Sequence, residues 1–232
     1  MVAYVGYIPT SLANPDLKWE INKQYDIGFD LAVLRNRVTL TADYYQKRTE
    51  DLLANLPIPG SSGFSSILIN SGSIENKGFE VALNTSVIDN KDLSWKVGAN
   101  FSRNETKVLK LAVATKQFFA PNIPSPIDRP VNIIREGEVL SAFWGYKEDG
   151  LNENGDIKYK DLNADGKVDG NDQTILGSPF PNLLYGFNSN MNYKGFNLTV
   201  FLQGVAGVKV FNSNDFMIAN SMTRISNQLE EV

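Results

Sequence analysis

Six stretches of the chain alternate apolar and polar residues with period two. This commits each to a β-strand whose two faces meet different surroundings. Tyr25, Ile27, Phe29, Leu31 and Val33 share one face of the first, against Gln24, Asp26, Gly28 and Asp30. The second sets Val38, Leu40, Ala42 and Tyr44 against Arg37, Thr39, Thr41 and Asp43, and the third sets Phe79, Val81, Leu83 and Val87 against Glu80, Asn84 and Ser86. Leu93, Trp95, Val97 and Phe101 oppose Ser94, Lys96, Asn100 and Ser102 in the fourth. The last two place Leu183, Tyr185, Phe187 and Met191 opposite Asn188, Asn190 and Asn192, then Phe196, Leu198, Val200 and Leu202 opposite Asn197, Thr199 and Gln203. Helical periodicity is weak, and only Leu109–Lys116 suggests a turn or two of helix.

The connections fall into two length classes. Leu34–Arg37, Asp89–Asp92 and Tyr193–Gly195 are short, whereas Thr49–Ile74, Thr106–Pro181 and the segment after Ala206 are long. Short turns thus alternate with long loops along an antiparallel meander. A soluble sandwich has no reason to sort its loops this way, whereas a transmembrane barrel has short turns at one end and long excursions at the other. Strands of about ten residues also suit a tilted crossing of a bilayer. Aromatics gather at strand ends (Tyr25, Tyr44, Tyr45, Trp95, Tyr193, Phe196), and the polar faces are rich in Asn, Thr and Ser. The expected fold is therefore all-β, an antiparallel meander of about six strands forming part of a transmembrane β-barrel.

Composition narrows the chemistry. The 232 residues contain no cysteine and no histidine, which removes thiolate and imidazole metal sites and the common nucleophile–base pairs. A formal charge of −4 gives no footprint for nucleic acid. Glu136 and Glu138 are the nearest thing to a hydrolytic pair, with no further site around them, and an enzyme is not expected. No apolar run approaches the roughly 18 residues of a membrane helix, and Met1–Pro9 lacks the features of a signal peptide. About eight strands are the practical minimum for a closed barrel, so the chain reads as an internal piece of something larger.

Several motifs together resemble the TonB-dependent outer-membrane transporters. Asn14-Pro15-Asp16-Leu17-Lys18-Trp19-Glu20 with Tyr25–Asp30, Tyr44–Leu53, and Asn76-Lys77-Gly78-Phe79-Glu80 are similar to successive family segments. Tyr159–Lys167 with Asp172 and Ile175-Leu176-Gly177, followed by Pro181–Gly186 and Phe196–Gly204, resembles the SusC/RagA subfamily. The resemblance implies part of a 22-stranded barrel that takes up glycans or peptides across the outer membrane of a Gram-negative bacterium. It implies energisation by the TonB complex and a SusD-like surface lipoprotein as cap; the family's plug and last strands have no counterpart here. On that basis residues 1–205 form part of the barrel, with 106–181 a long extracellular excursion, and 206–232 begin the next extracellular loop. The alternative is a soluble calcium-binding β-sandwich such as an adhesin or carbohydrate-binding module.

Within the excursion, Asp161, Asn163, Asp165, Lys167, Asp169 and Asp172 occupy positions 1, 3, 5, 7, 9 and 12 of an EF-hand-like ladder, with Gly166 at 6 where the sharp turn needs it. Asp replaces Glu at position 12. The expectation is a structural Ca²⁺ in an isolated loop. Phe143, Trp144 and Tyr146, with Phe118 and Phe119, are candidates for stacking on a ligand, though loop packing against the barrel or the cap is the better account of such large aromatics. Gly60–Gly63 reads as a flexible loop tip. Ile27, Phe29, Leu31, Leu40, Val81, Val97 and Val200 are expected to face lipid, with Val81 near the midplane. Asp26, Asp30, Asn100, Asn188 and Gln203 are expected to face the lumen.

Overall fold

The computed structural model describes residues 11–125 and 127–214, so the Met1–Pro9 segment and the 215–232 part of the last expected loop lie outside it. The strands are β1 Ile21–Val33, β2 Val38–Pro57, β3 Ser66–Asp89, β4 Leu93–Leu111, β5 Gln117–Phe119, β6 Asn132–Arg135, β7 Ala142–Tyr146, β8 Glu148–Leu151, β9 Ile157–Tyr159, β10 Gln173–Gly177, β11 Leu183–Tyr193 and β12 Phe196–Ala206. All six expected strands form one antiparallel sheet in the order β1-β2-β3-β4-β11-β12. The segment between β4 and β11 adds no further strand to this sheet. It builds a small sheet, β10-β7-β6-β5, and the β8–β9 hairpin.

The short turns have local causes. Lys194 (φ 47°) and Gly195 (φ 91°) both sit in the left-handed region, the geometry of a two-residue hairpin turn whose twist matches the strands. At the β3–β4 turn, the Asn90 side-chain oxygen accepts from the backbone N–H groups of Asp92 (3.0 Å) and Leu93 (2.9 Å).

Two expectations are corrected here. The long connection expected over Thr49–Ile74 is mostly strand, because β2 and β3 stay paired as far as Pro57 and Ser66. A register shift around Asp51 (φ 55°) breaks the alternation there and hid the continuation. Only the tip remains as loop, with a single 3-10 turn at Gly60–Ser62. The helix expected over Leu109–Lys116 is instead the end of β4, paired through Leu111 to Gly72, followed by a turn closed by Lys116 N–H donating to Val113 at 3.0 Å.

The register explains what the alternation meant. Leu31, Leu40, Leu83 and Ala99 lie in one cross-strand row, which continues into Phe187 and Leu202. Phe29, Ala42, Val81, Phe101 and Tyr185 lie in the next. The alternating apolar residues of all six strands therefore share one face, with Leu184, Phe201 and Val205 the large apolar exceptions on the other, and among the described residues no second sheet covers it: Ile27 is 72%, Phe29 56% and Leu202 59% exposed. A sandwich would put this face in its core, and here it has no core to enter.

Aromatics rim the face. Tyr25, Tyr44, Phe79, Phe101 and Tyr185 form one rim, with Phe79 and Phe101 stacked at 5.4 Å between ring centroids. This rim does not follow the hydrogen-bond rows. Tyr25 is four residues from Phe29, the β1 residue in the row of Tyr185 four strands away. At ~3.4 Å per residue and ~4.8 Å between strands, that offset corresponds to strands tilted by about 35° from the normal to the rim. The short turns step by the same amount, since Val33 at the first turn shares a row with Ser189, four residues before Tyr193. From Tyr185 to Tyr193, β11 rises about 27 Å along its axis, or about 22 Å after that tilt, close to the ~25 Å apolar band of an outer-membrane barrel.

Tyr45 leaves the rim to which the sequence assigned it. It lies on the polar face, with its ring over Gly78, where any Cβ would meet the phenol at 2.7 Å. Val81 also shifts in depth: it sits one pleat inside the Phe79 rim, and Leu83 is nearer the middle of the band. In a bilayer we expect Leu83→Arg to cost about 2–4 kcal/mol, Val81→Arg less, and Asn84→Arg little. Folding titrations into lipid vesicles would measure the order, and equal costs at Leu83 and Asn84 would overturn the facing.

Candidate functional site

The polar face is built from the residues that alternate with the apolar band. Asp30, Thr41, Ala82, Asn100, Gly186 and Gln203 form one row across all six strands. Thr41 donates to Asp30 at 2.6 Å, Thr199 to Asn190 at 3.0 Å, and the Asn192 amide to Asn197 at 2.6 Å. Cross-strand bonds of this kind hold the side chains flat against the wall. Gly98 stands between Asn84 and Asn188, and a Cβ there would meet both amides at 2.7 Å. Toward the short turns this face opens into a cavity of about 490 Å³, lined among others by Arg35, Arg37, Thr39, Asn84, Asn188 and Asn190. Of the residues expected in the lumen, Asp26, Asp30, Asn100, Asn188 and Gln203 all lie on this face. Asp26 keeps company with Asp43 and Glu80 nearby, which gives β1–β3 an acidic patch.

The excursion docks on the same side. Val108 shares the face of Asn104 and Thr106 and is fully buried, as are Ile133 and Ala142 of the small sheet. An apolar cleft of about 220 Å³ lies between them, walled by Ile74, Leu111, Phe118, Ile134 and Leu140. Backbone bonds from Val108 N–H to Glu138 and from Gly137 N–H to Val108 pin the joint at 2.9 and 2.8 Å. The small sheet therefore overhangs the polar face at the end away from the short turns. Glu136 is structural, accepting from Leu111 N–H at 3.4 Å and pairing with Lys116 at 3.5 Å.

The 161–172 loop is wound by its own side chains. The Asp161 carboxylate accepts from Ala164 N–H (2.6 Å) and Gly166 N–H (2.8 Å). Asn163 accepts from Asp165 N–H at 3.0 Å, and Asp165 from Lys167 N–H at 2.9 Å. Ala164 (φ 58°) and Gly166 (φ 84°) make the left-handed steps that close the coil. Asp169 caps the one-turn helix Gly170–Asp172, accepting from Asn171 N–H at 2.8 Å. Asp172 is fully buried, and its two oxygens accept from Asp169 (2.8 Å), Leu162 (2.8 Å) and Asn163 (3.3 Å). These donors, Asp169 N–H foremost, hold its carboxyl below the usual range against the opposing effect of burial. Among the described residues, no three acidic side chains converge as a metal-holding group. The ladder is nonetheless all hard oxygen, the donor type that Ca²⁺ takes.

Trp144 donates its indole N–H to Gln173 at 2.9 Å, and Arg135 covers one ring face at 4.2 Å. Tyr146 packs on Tyr159 with centroids 5.5 Å apart. Phe143, Trp144 and Tyr146 are all half-buried in β7, and Phe119 is exposed. The wall and the excursion thus form one polar surface roofed at one end.

Comparison with known proteins fits this geometry. The family described as TonB dependent receptor-like, beta-barrel matches residues 3–163. The chain belongs to that family. TonB-dependent receptor P3 of Formosa agariphila is 36% identical over 223 residues, covering 89% of this chain and 22% of that protein. SusC of Bacteroides thetaiotaomicron is 30% identical over 198 residues, covering 82% and 20%. A RagAB peptide transporter structure superposes with a TM-score of 0.77 at 26% identity, covering 91% of this chain and 23% of its counterpart. The chain spans about a fifth of the length of the curated relatives it matches.

As a TonB-dependent receptor segment, the sheet is an arc of wall, and its outer edges at β1 and β12 have no neighbour among the described residues. The receptor's small sheet was missed because its strands are only 3 to 5 residues long and contact partners far along the chain, as Trp144 does Gln173. Asp172 is the group to test. Because its folded pKa is depressed, its contribution to loop stability is present above the ordinary carboxylate value and is lost as pH falls through the lowered one. Amide exchange at Asp169 and Leu162 should stay slow at pH 5 and accelerate only well below pH 4. Asp172→Asn, which turns an amide toward donors, should show fast exchange at every pH.

Proposed function

We propose that this segment forms wall and mouth of an outer-membrane transporter for glycans or peptides, driven by the TonB complex and served by a SusD-like surface lipoprotein. The supporting observation is the register. It places the alternating apolar positions of six strands on one face, uncovered among the described residues, and an Asn-, Thr- and Asp-rich wall on the other, interrupted only toward β12 by Leu184, Phe201 and Val205 and roofed by a sheet at the long-loop end. The wall offers hydrogen-bond partners to a polar solute, which suits passage of hydroxyls or peptide groups better than of apolar ligands. Single cysteines at Asn100 and Asn188 in the complete receptor would be protected from a water-soluble maleimide by bound substrate. Cysteines at Leu83 and Leu198 would react only with a lipid-phase probe. Reaction of both pairs with the same probe would sink the assignment.

We also propose that the 161–172 loop holds Ca²⁺ through Asp161, Asn163, Asp165, the Lys167 carbonyl, Asp169 and Asp172. The ion would bind the folded coil and stabilise it by mass action, with affinity of roughly 10⁻⁴–10⁻³ M. The side-chain-to-backbone bonds of Asp161, Asn163 and Asp165 already coil this loop, and the carboxylate oxygens retain lone pairs beyond their N–H bonds. Titration calorimetry of the complete receptor should show heat at millimolar Ca²⁺ that Asp165→Ala abolishes. Identical isotherms for the two would overturn the reading.

A further inference from the structure

The outward face changes character abruptly above the aromatic rim. Continuing the apolar positions one to three pleats past Tyr25, Tyr44, Phe79 and Phe101, the register places Lys23, Arg48, Lys77, Arg103 and Lys107 there. Three carboxylates, Glu50, Glu75 and Glu105, share that face. The belt is thus net positive on a chain whose total formal charge is −4. It also lies outside the lumen, where no transported solute needs it.

The pairing within the belt is incomplete. Glu50 is shared by Lys23 (2.7 Å) and Arg48 (3.0 Å), and Lys77 lies at 3.9 and 3.8 Å from Glu75 and Glu105. Arg103 and Lys107 make no ion pair among the described residues, and Arg103 is exposed beside Phe79. Between β1, β2 and β3 the belt forms a cavity of about 240 Å³, lined only by outward-facing residues: Lys23, Tyr25, Gln46, Arg48, Glu50 and Glu75. Gln46 donates to Glu75 at 2.7 Å, so its amide braces the floor. Tyr25, 74% exposed, sits at the lower rim directly above Ile27 and Phe29.

We propose that this belt binds the phosphorylated headgroup of an outer-leaflet glycolipid, whose acyl chains run down the apolar band. Charge complementarity and depth both favour it: Lys23, Lys77 and Arg103 stand one pleat above the aromatic rim, at the level of a lipid phosphate, with Arg48 and Lys107 two and three pleats above it and the apolar band directly below the rim. Arg48 and Arg103 supply planar forks that match phosphate oxygens. The inference rests on the barrel-wall reading above.

The test uses the complete receptor in phosphatidylcholine nanodiscs containing bis-phosphorylated lipid A or its dephosphorylated form, with retained lipid counted by native mass spectrometry. The phosphorylated lipid should be retained preferentially, and each neutralised cation should weaken it roughly fivefold. Lys23→Gln with Arg48→Gln and Arg103→Gln should therefore lose at least tenfold, while Glu50→Gln, which frees two cations, should retain more than wild type. Equal retention of the two lipids, an unchanged triple variant, or displacement by millimolar inorganic phosphate overturns the proposal. Failure of the receptor to enter the bilayer at all would overturn the barrel-wall reading with it, whereas insertion without phosphate dependence overturns this inference alone.

Discussion

Backbone hydrogen bonding is the constraint on which the rest depends. A strand that faces lipid cannot leave an N–H or C=O unpaired, because no water is there to take its place. The ladder from β1 to β12 meets that demand along its interior, and its antiparallel register then carries every side chain to a determined face. A one-residue slip between any two strands would turn an entire apolar set inward. The apolar band, the Asn-rich wall and the charged belt are three consequences of a single register.

The tilt follows from the same ladder. Rim aromatics and short turns both drift by one residue per strand relative to the hydrogen-bond rows, so the membrane plane and the rows cannot be parallel. Wall height is set by how many residues fit between the rims at that tilt. β2, β3 and β4, at 20, 24 and 19 residues, are far longer than the band requires. Their surplus projects beyond it, and it is there that Val108 buries itself against the small sheet. Extended strands thus give the excursion a rigid base where a loop would give a mobile one.

Strand existence, face and order were legible because period-two alternation is dictated by residues two apart, which sequence displays directly. Legibility failed where contacts between distant residues took over. The bulge near Asp51 interrupted the alternation and made strand look like loop. Tyr45 reads as a rim aromatic from its place beside Tyr44, yet parity and the open backbone of Gly78 turn it into the wall. The coil of Asp161–Asp172 was legible as a tight Asp-, Asn- and Gly-rich turn, since its spacing is local. That Asp172 would be fully buried and bound to three backbone N–H groups was not, because burial depends on what packs around it.

By itself, then, the sequence determined an antiparallel all-β meander with one apolar face, its short turns, and the polar character of the opposite wall. These rest on alternation, turn chemistry and composition, all of which act within a few residues. Only the tertiary structure decided depth and neighbourhood: which pleat meets the aromatic rim, how far the strands overrun the band, and which side of the wall carries the small sheet. Those properties arise from register across strands more than 20 residues apart in sequence, as where Lys23 meets Glu50 and Gln46 meets Glu75. No local pattern encodes such distances.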